Sequence, residues 1–311
     1  MTSSPEIADL AASFRRSLRA AGKAERTQIL YGQSIRFFCD WLAAQGRPAT
    51  LDQLNRHALS AWLAELADRV DIETVRTRLR GMRRFCRWLV VEGELEKAPT
   101  EGVEMPARTE KPVRVLTDDE LARLIKTCQV PRGRAGTFDR RIFDGRRDEV
   151  LVRLLADCGL RVSELIGLEH PEHVDLQQEM VYVVGKGNRP RVVPFGARTG
   201  QAIDRYLRIR SAHPYAKRTQ RLLLGERGAL SADGARWRLE VLGKAADVPD
   251  LHPHAFRHTF AHRWLAEGGQ ERDLMQLAGW RSDAMLSVYA RSTAVERARG
   301  AHRRMGLGDR L

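Results

Sequence analysis

The sequence has few cysteines and no long apolar segment. Four cysteines occur in 311 residues, and none belongs to a Cys-x-x-Cys pair, so we expect reduced thiols and no zinc site built from cysteine. No apolar run approaches the length of a membrane span, and residues 1–12 lack a basic region followed by an apolar one. These absences predict a soluble protein of the cytoplasm that does not bind a membrane.

Signals for cofactors are also missing. The chain has no Gly-x-x-x-x-Gly-Lys-Ser/Thr loop for a nucleotide and no acidic cluster that would hold magnesium. His254, His258 and His262 recur every four residues, a spacing at which helical histidines can bind zinc. Because His-Glu-x-x-His is absent, we favour a packing or hydrogen-bonding role for His258 and expect neither a metal nor another cofactor.

Positive charge is in excess, and nearly all of it is arginine. The formal net charge is +13, and the 53 basic residues are 46 arginines and 7 lysines. This balance predicts a polyanionic partner, usually nucleic acid. A solvated, arginine-rich surface is the alternative interpretation.

Residues 1–95 have the apolar spacing of helices. The clearest helix carries an apolar stripe formed by Val75, Leu79, Met82, Cys86 and Leu89. Another face of the same helix is basic, and its residues are Arg76, Arg80, Arg83, Arg84 and Arg87. We interpret this arginine stripe as a DNA-binding surface, because guanidinium groups pair with phosphates and guanine edges. A solvated helix face is the alternative.

Residues 96–113 have no apolar period and contain several prolines, so we predict a linker between a helical domain at 1–95 and a second domain at 114–311. The second domain opens with a Thr-x-x-Glu capping box at Thr117. We predict a loop over the Gly- and Arg-rich residues 129–147. Two strands, 180–184 and 191–194, flank a glycine-rich turn, and the last helices are expected at 282–290 and 294–304. The expected fold class is mainly α with a small antiparallel sheet.

Four residues of the second domain suit the cleavage of a phosphodiester without a metal. Such a reaction needs a nucleophile, cations around the charged phosphorane and an acid for the leaving oxygen. His254 and Arg257 lie three apart on one predicted helix, so they share a face and could hold one phosphate. Arg161 begins another helix, and Glu164, one turn later, could hold it in place.

Two further candidates lie in other elements. Lys186 stands in the glycine-rich turn, where it could enter a DNA groove, and Tyr289 lies on a short predicted helix near the end of the chain. Taken singly, each of these residues has an ordinary structural explanation as an exposed turn lysine or a packed tyrosine. Their order along the chain is more informative than any one of them.

That order resembles the tyrosine recombinase (phage integrase) family. The motifs are CGLRVSEL at 158–165, GKG at 185–187, HAFRH at 254–258, LAGW at 277–280 and Tyr289. The helical first domain is similar to the core-binding domain of that family. The resemblance therefore implies a SAM-like four-helix domain at 1–95 and a catalytic domain with a C-terminal helix at 114–311.

The resemblance also implies the proton-transfer chemistry. Tyr289 would attack the scissile phosphate and form a 3′-phosphotyrosine link, which frees a 5′-hydroxyl. Lys186 would protonate the leaving 5′-oxygen, and His254 would assist proton transfer at the tyrosine. Because the phosphotyrosine keeps the energy of the broken bond, no nucleotide is needed.

The remaining residues would surround the phosphate. By resemblance, Arg161 and Arg257 would stabilise the transition state, and Glu164 would support them. Trp280 occupies a position where many members carry histidine. Its indole N–H can donate a hydrogen bond to a phosphate oxygen but cannot act as an acid or base. Arg189, in the same turn as Lys186, is expected to bind DNA.

The partners implied by the resemblance are DNA and further copies of the chain. We expect double-stranded DNA with inverted core-type sites, a homotetramer in the synaptic complex, and a monomer or weak oligomer off DNA. A directionality factor is a further possible partner. The helix at 294–304 is expected to dock on a neighbouring subunit, with packing on its own domain as the alternative.

Other functions stay open. A type IB topoisomerase-like enzyme and a non-catalytic DNA-binding protein are the alternatives outside the recombinases. Within the family, the chain begins almost directly with core-binding helices, which leaves no room for an arm-binding domain. This fits both a bacterial or phage-encoded simple integrase of a mobile element, acting at the nucleoid, and a Xer-like dimer resolvase. The insertion at 129–147 and the motif Ala278-Gly279-Trp280 favour the integrase.

Overall fold

A computed structural model describes residues 4–107, 114–129, 139–185 and 189–280, together with residues 282, 286, 299, 302, 303, 305 and 306. The chain divides into two units, Met1–Lys111 and Pro112–Leu311. The predicted fold class is confirmed, since the described residues are mostly helical and include small antiparallel sheets. Among these residues, no helix is both long and apolar enough to cross a membrane.

The first unit contains four α-helices, and a 3-10 turn at Leu51–Gln53 precedes the third. The helices are α1 (Ile7–Ala20), α2 (Glu25–Ala44), α3 (Arg56–Ala67) and α4 (Ile72–Val91). The side chains of Asn55 and Asp71 accept hydrogen bonds from backbone amides at the starts of α3 and α4, so the sequence fixes both starts locally. The apolar stripe of α4 is buried in the core of this unit.

Helices α2 and α4 approach closely where Ser34 faces Gly81. A Cβ atom built on Gly81 would lie 2.7 Å from Ser34 Cβ, which is closer than any real contact of that kind. The hydroxyl of Ser34 donates to the Leu30 carbonyl at 2.9 Å within its own helix, so the buried serine keeps its hydrogen bond. The small residue on each helix therefore lets the two backbones meet.

The second unit begins with α5 (Asp118–Thr127), whose capping box at Thr117 is present. The next helix, α6 (Arg140–Cys158), begins earlier than the sequence suggested. Residues 140–147 are helical, so the loop predicted over 129–147 is wrong there, and residues 130–138 lie outside the described residues. The physical reason is that Asp139 caps the helix, Phe143 is buried, and Arg147 pairs with Asp148. Buried ion pairs and a cap outweigh a composition that is typical of loops.

A three-stranded antiparallel sheet follows α7 (Val162–Gly167), with strand order β1–β2–β3. The strands are β1 (Val174–Asp175), β2 (Met180–Gly185) and β3 (Arg189–Pro194). In this register Val181 faces Val193, and both are buried, whereas Tyr182 and Val192 face solvent. Arg191 pairs with Val183 and shares the inner face of the sheet.

Helices form most of the remaining residues that the structure describes in this unit. They are α8 (Ala197–Arg210), α9 (Ala232–Ala246), α10 (Pro253–Ala266) and α11 (Glu271–Ala278). A two-stranded hairpin, β4 (Leu224–Gly225) and β5 (Gly228–Ala229), precedes α9, and a 3-10 turn covers Ala216–Arg218. The helices predicted at 282–290 and 294–304 lie outside the described residues except at isolated positions.

Candidate active site

The turn between α6 and α7 places Arg161. Helix α6 ends at Gly159, whose φ of 58° is left-handed, and a Cβ there would overlap the ring of Phe260 on α10. Glycine thus meets two requirements at once, a left-handed backbone and a close helix approach. Two residues later Arg161 stands at the N-cap of α7 with its side chain one-third exposed. An arginine held at a helix start and still open to solvent can contact an anion.

Glu164 is the buried centre of this site. Its side chain is 3% exposed and accepts the Arg161 backbone amide at 2.8 Å and Arg161 Nη1 at 2.9 Å. Arg191 donates to both carboxylate oxygens at 2.9 Å. Burial alone would raise the pKa of Glu164, but the hydrogen bonds from Arg191 and Arg161 outweigh it, so this pKa is lowered. Glu164 is therefore an anion shared by two guanidinium groups.

Arg191 was not among the residues singled out in the sequence. It lies on β3, is 10% exposed and also donates from Nε to the Leu277 carbonyl at 2.7 Å. A usable signal existed, because strand alternation places Arg191 on the same face as the buried Val193. A buried arginine needs acceptors for its N–H groups, and the two carboxylate oxygens of Glu164 provide them. Because the two residues lie 27 positions apart, helical or strand spacing could not predict that they pair.

Arg257 lies in the interior of the same site. It is 4% exposed, and Nη1 donates to the Gly159 carbonyl at 2.7 Å. Nη2 donates to the carbonyl of Ala278, and the guanidinium lies 5.4 Å from the ring centroid of Trp280. Arg257 thus connects the turn before Arg161 to the end of α11.

Trp280 packs into a small apolar cluster behind the site. The indole is 6% exposed and lies with Ala261, Leu265 and Leu274. Gly279, just before it, has a left-handed φ of 63°, and a Cβ there would lie 3.2 Å from Arg191 Nη1. The turn that leads to Trp280 is therefore shaped around the arginine side chain.

Histidines border the site at the start of α10. His252 caps the helix by accepting the Ala255 amide through Nδ1, and the His254 ring lies 6.3 Å from that of His258. Burial, followed by repulsion from His252, Arg257 and Arg161, lowers the pKa of His254. The positive charges of Arg257 and Arg161 therefore act on the His254 ring, which favours the neutral form that can accept a proton.

The remaining predicted catalytic residues cannot be placed. Lys186 and Tyr289 lie outside the described residues. Arg189 is exposed at the start of β3, opposite Gly185. In the described part of the chain, no group of three or more metal-binding side chains is close enough to hold an ion.

The arginine stripe of α4 divides into two sets. Arg76 donates to the carbonyl of Pro106 and Arg83 to that of Val103, so both fasten the chain that follows α4. Arg80 is 45% exposed, and Arg84 and Arg87 are also exposed. The second set presents more of its charge to solvent than the first, whose members are partly buried.

Family comparisons match both units. The N-terminal SAM-like domain of phage integrases matches residues 11–93, and the phage integrase family matches residues 114–296. The tyrosine recombinase XerC of Mycobacterium tuberculosis (strain ATCC 25177 / H37Ra) is 31% identical over 287 residues, which cover 91% of this chain and 93% of that protein. XerC of Mycobacterium leprae (strain TN) is 30% identical over 285 residues, covering 90% and 93%.

Solved structures share the fold at lower identity. The integrase of transposon Tn1549, in complex with transposon right end DNA, superposes with a TM-score of 0.71 at 19% identity, covering 96% of this chain and 99% of that one. A lambda integrase dimer bound to a COC′ core site gives a TM-score of 0.69 at 17% identity, covering 92% and 77%.

Proposed function

Because the chain belongs to the phage integrase family and is a site-specific DNA recombinase, we propose that it cuts and rejoins duplex DNA through a covalent link to Tyr289. The observation that carries this proposal is the joint placement of Arg161, Glu164, His254 and Arg257 at one site. The first domain, 1–95, would bind the core-type site, and 114–311 would perform the chemistry.

The proposed cleavage step exchanges one ester for another. The phenolic oxygen of Tyr289 attacks the scissile phosphorus, the bond to the 5′-oxygen breaks, and a 3′-phosphotyrosine forms. His254 receives the phenolic proton, and Lys186 gives a proton to the leaving 5′-oxygen. The arginines 161 and 257 stabilise the negative charge of the phosphorane. Rejoining reverses these steps, so no cofactor is consumed.

We propose that the DNA target carries inverted core-type sites and that four copies assemble on two such targets. A lambda integrase dimer on a core site and a lambda integrase tetramer on a Holliday junction are known structures of related fold. In this chain, a groove of about 1180 Å³ has both apolar lining residues and the acids Asp118, Asp157 and Glu267, which suit a docked helix that carries apolar and basic side chains. Its lining includes Leu121, Ile125, Val152, Phe260 and Trp264. We assign it to the 294–304 segment of a neighbouring copy.

The docking assignment is tested by truncation. Ending the chain after Arg291 should abolish tetramer assembly on DNA and leave cooperative thermal unfolding of the monomer and binding of a single site unchanged. A tetramer that persists in the truncated chain, measured by mass photometry of the DNA complex, would refute the assignment.

The covalent step is tested with labelled DNA. The protein is incubated with fragments that flank its gene, in EDTA, and denatured in SDS. We expect a slow-migrating, protease-sensitive adduct that disappears in Tyr289→Phe, which retains DNA binding. Tight and specific binding without any adduct would favour a non-cutting DNA-binding protein. Relaxation of supercoiled plasmid without a specific site would favour a type IB topoisomerase-like enzyme.

For the biological role we propose integration of a mobile element, and one observation favours a second candidate. The XerC proteins match this chain over nearly the full length of both sequences, which supports resolution of dimers. Two plasmids separate the roles, one with two direct copies of the target and one with the target and an unlike site. Efficient resolution without any further factor supports the Xer-like role, whereas recombination only between unlike sites supports integration.

A further inference from the structure

Arg191 contacts three separate parts of the candidate active site. Its two terminal nitrogens bind the two oxygens of Glu164 at 2.9 Å, and Nε binds the Leu277 carbonyl at 2.7 Å. Its guanidinium also lies against Gly279, where an added Cβ would be 3.3 Å from Cζ. One side chain from β3 therefore meets α7, the end of α11 and the turn that leads to Trp280.

The charge balance around Glu164 depends on this side chain. Arg161 and Arg191 carry two positive charges, and the carboxylate that they share carries one negative charge. If Arg191 lost its charge, Arg161 and Glu164 would form a neutral pair at 2.9 Å, and the guanidinium would offer less to an anion. With Arg191 present, the trio keeps a net charge of +1.

Two arginines also hold consecutive carbonyls at the end of α11. Arg191 binds the carbonyl of Leu277, and Arg257 binds that of Ala278. Carbonyls at a helix end lack helical partners, so cationic donors are favourable there. Arg257 additionally binds the Gly159 carbonyl before Arg161. The two arginines thereby tie the turn before α7 to the turn before Trp280.

We propose that Arg191 is a positioning residue for the recombinase reaction. It neutralises Glu164, so that Arg161 directs its full charge at the scissile phosphate, and it fixes the α11 end from which the chain continues toward Tyr289. The inference rests on the proposed function. It assigns no direct contact between Arg191 and DNA.

The decisive experiment compares three variants in adduct formation at saturating DNA. The substrate carries a nick that traps the covalent intermediate. Arg191→Met should slow adduct formation roughly tenfold to a hundredfold, as expected for the loss of preorganised charge. Adding Glu164→Gln to it should restore several-fold of the rate, because the carboxylate that neutralises Arg161 is then gone. Arg191→Lys, which keeps the charge, should be faster than Arg191→Met.

Arg238 provides a matched control in the same unit. It also pairs with a buried carboxylate, because Nε and Nη2 both donate to Oδ2 of Asp148, Nε at 3.0 Å. Among the described residues, neither Arg238 nor Asp148 hydrogen-bonds to Arg161, Glu164, His254 or Arg257. Arg238→Met should lower the unfolding midpoint about as much as Arg191→Met and leave the adduct rate unchanged.

The outcomes separate this inference from the proposed function. If the wild type forms an adduct and Arg191→Met forms it equally fast, the inference is wrong. The same conclusion follows if the double variant is no faster than Arg191→Met, or if Arg238→Met is equally slow. A wild type that forms no adduct on its own DNA would overturn the proposed function, and this inference with it.

Discussion

The hydroxyl of Thr259 accepts the backbone amide of Leu116 at 2.8 Å, although the two residues lie 143 positions apart. Thr259 also donates to the Ala255 carbonyl at 2.8 Å, and its side chain is buried. Helix α10 is thus fastened to the beginning of the second unit by one threonine. Arg257, two residues earlier on this helix, belongs to the candidate site.

Thr259→Val is expected to destabilise the second unit by about 1–3 kcal/mol, because the buried Leu116 amide loses its acceptor while the shape is kept. Urea unfolding measures this change. Thr259→Ser keeps the hydroxyl, so hydrogen exchange at the Leu116 amide should stay slow in that variant and become fast in the valine variant. Equal protection in both would contradict the account.

Gly159→Ala should cost about 2–4 kcal/mol of unfolding free energy. The left-handed backbone accounts for about 1 kcal/mol, and overlap with Phe260 accounts for the rest. Gly46→Ala is the matched control, because Gly46 has a φ of 68° and nothing within 4 Å of an added Cβ. Differential scanning calorimetry of both variants separates strain from overlap, and equal losses would exclude the Phe260 contact as a cause.

Stability should fall below neutral pH through His258. Burial, followed by repulsion from His254, His252 and Arg257, lowers the pKa of His258 to about 4. In the unfolded chain His258 has an ordinary pKa near 6.5, so between pH 6.5 and pH 4 the unfolded chain binds more protons than the folded protein. The stability that neutral His258 allows is therefore fully present above pH 6.5 and is lost as the pH falls toward 4. After allowance for solvent screening, His258→Gln should reduce the stability difference between pH 7 and pH 5 by about 1 kcal/mol. Urea unfolding at the two pH values tests it, and an unchanged difference would count against it.

Charge reversal at Arg80 and Arg84 should weaken DNA binding and make its salt dependence shallower. Each lost phosphate contact lowers the slope of log affinity against log salt by about 1. Reversal of Arg69 and Arg208, which are 70% and 66% exposed, changes the net charge equally and should leave that slope nearly intact. Fluorescence anisotropy over a salt series compares the two double variants. Equal slopes for both would show that Arg80 and Arg84 do not contact DNA phosphates.

Much of the fold followed from the sequence because local signals agreed. The apolar stripe of α4, the Thr117 box and the two β-strands all appear where the pattern predicts them. The start of α6 was not predicted, because the Arg-rich composition there is typical of a loop. It does not indicate the cap at Asp139 or the buried pair of Arg147 with Asp148.

The candidate site was predicted in part. Arg161 with Glu164 followed from helical spacing, and their contact is present. Arg191 was missed because its partners, Glu164 and the Leu277 carbonyl, lie far from it in the sequence. The strand register and the helix end that bring them together have no fixed spacing in the sequence. The sequence also did not show that only some arginines of the α4 stripe are exposed. Arg76 and Arg83 bind backbone carbonyls in the linker after α4, whose sequence has no apolar period.

The crossing of α2 and α4 at Ser34 and Gly81 limits the order in which this protein can change. Alanine at 81 collides with the β-carbon and hydroxyl of Ser34, whereas Ser34→Gly removes both atoms and opens the space. A lineage can therefore reach alanine at position 81 through Ser34→Gly first, but the reverse order passes through a damaged intermediate. The two small residues at this crossing therefore fix the order in which their substitutions are tolerated.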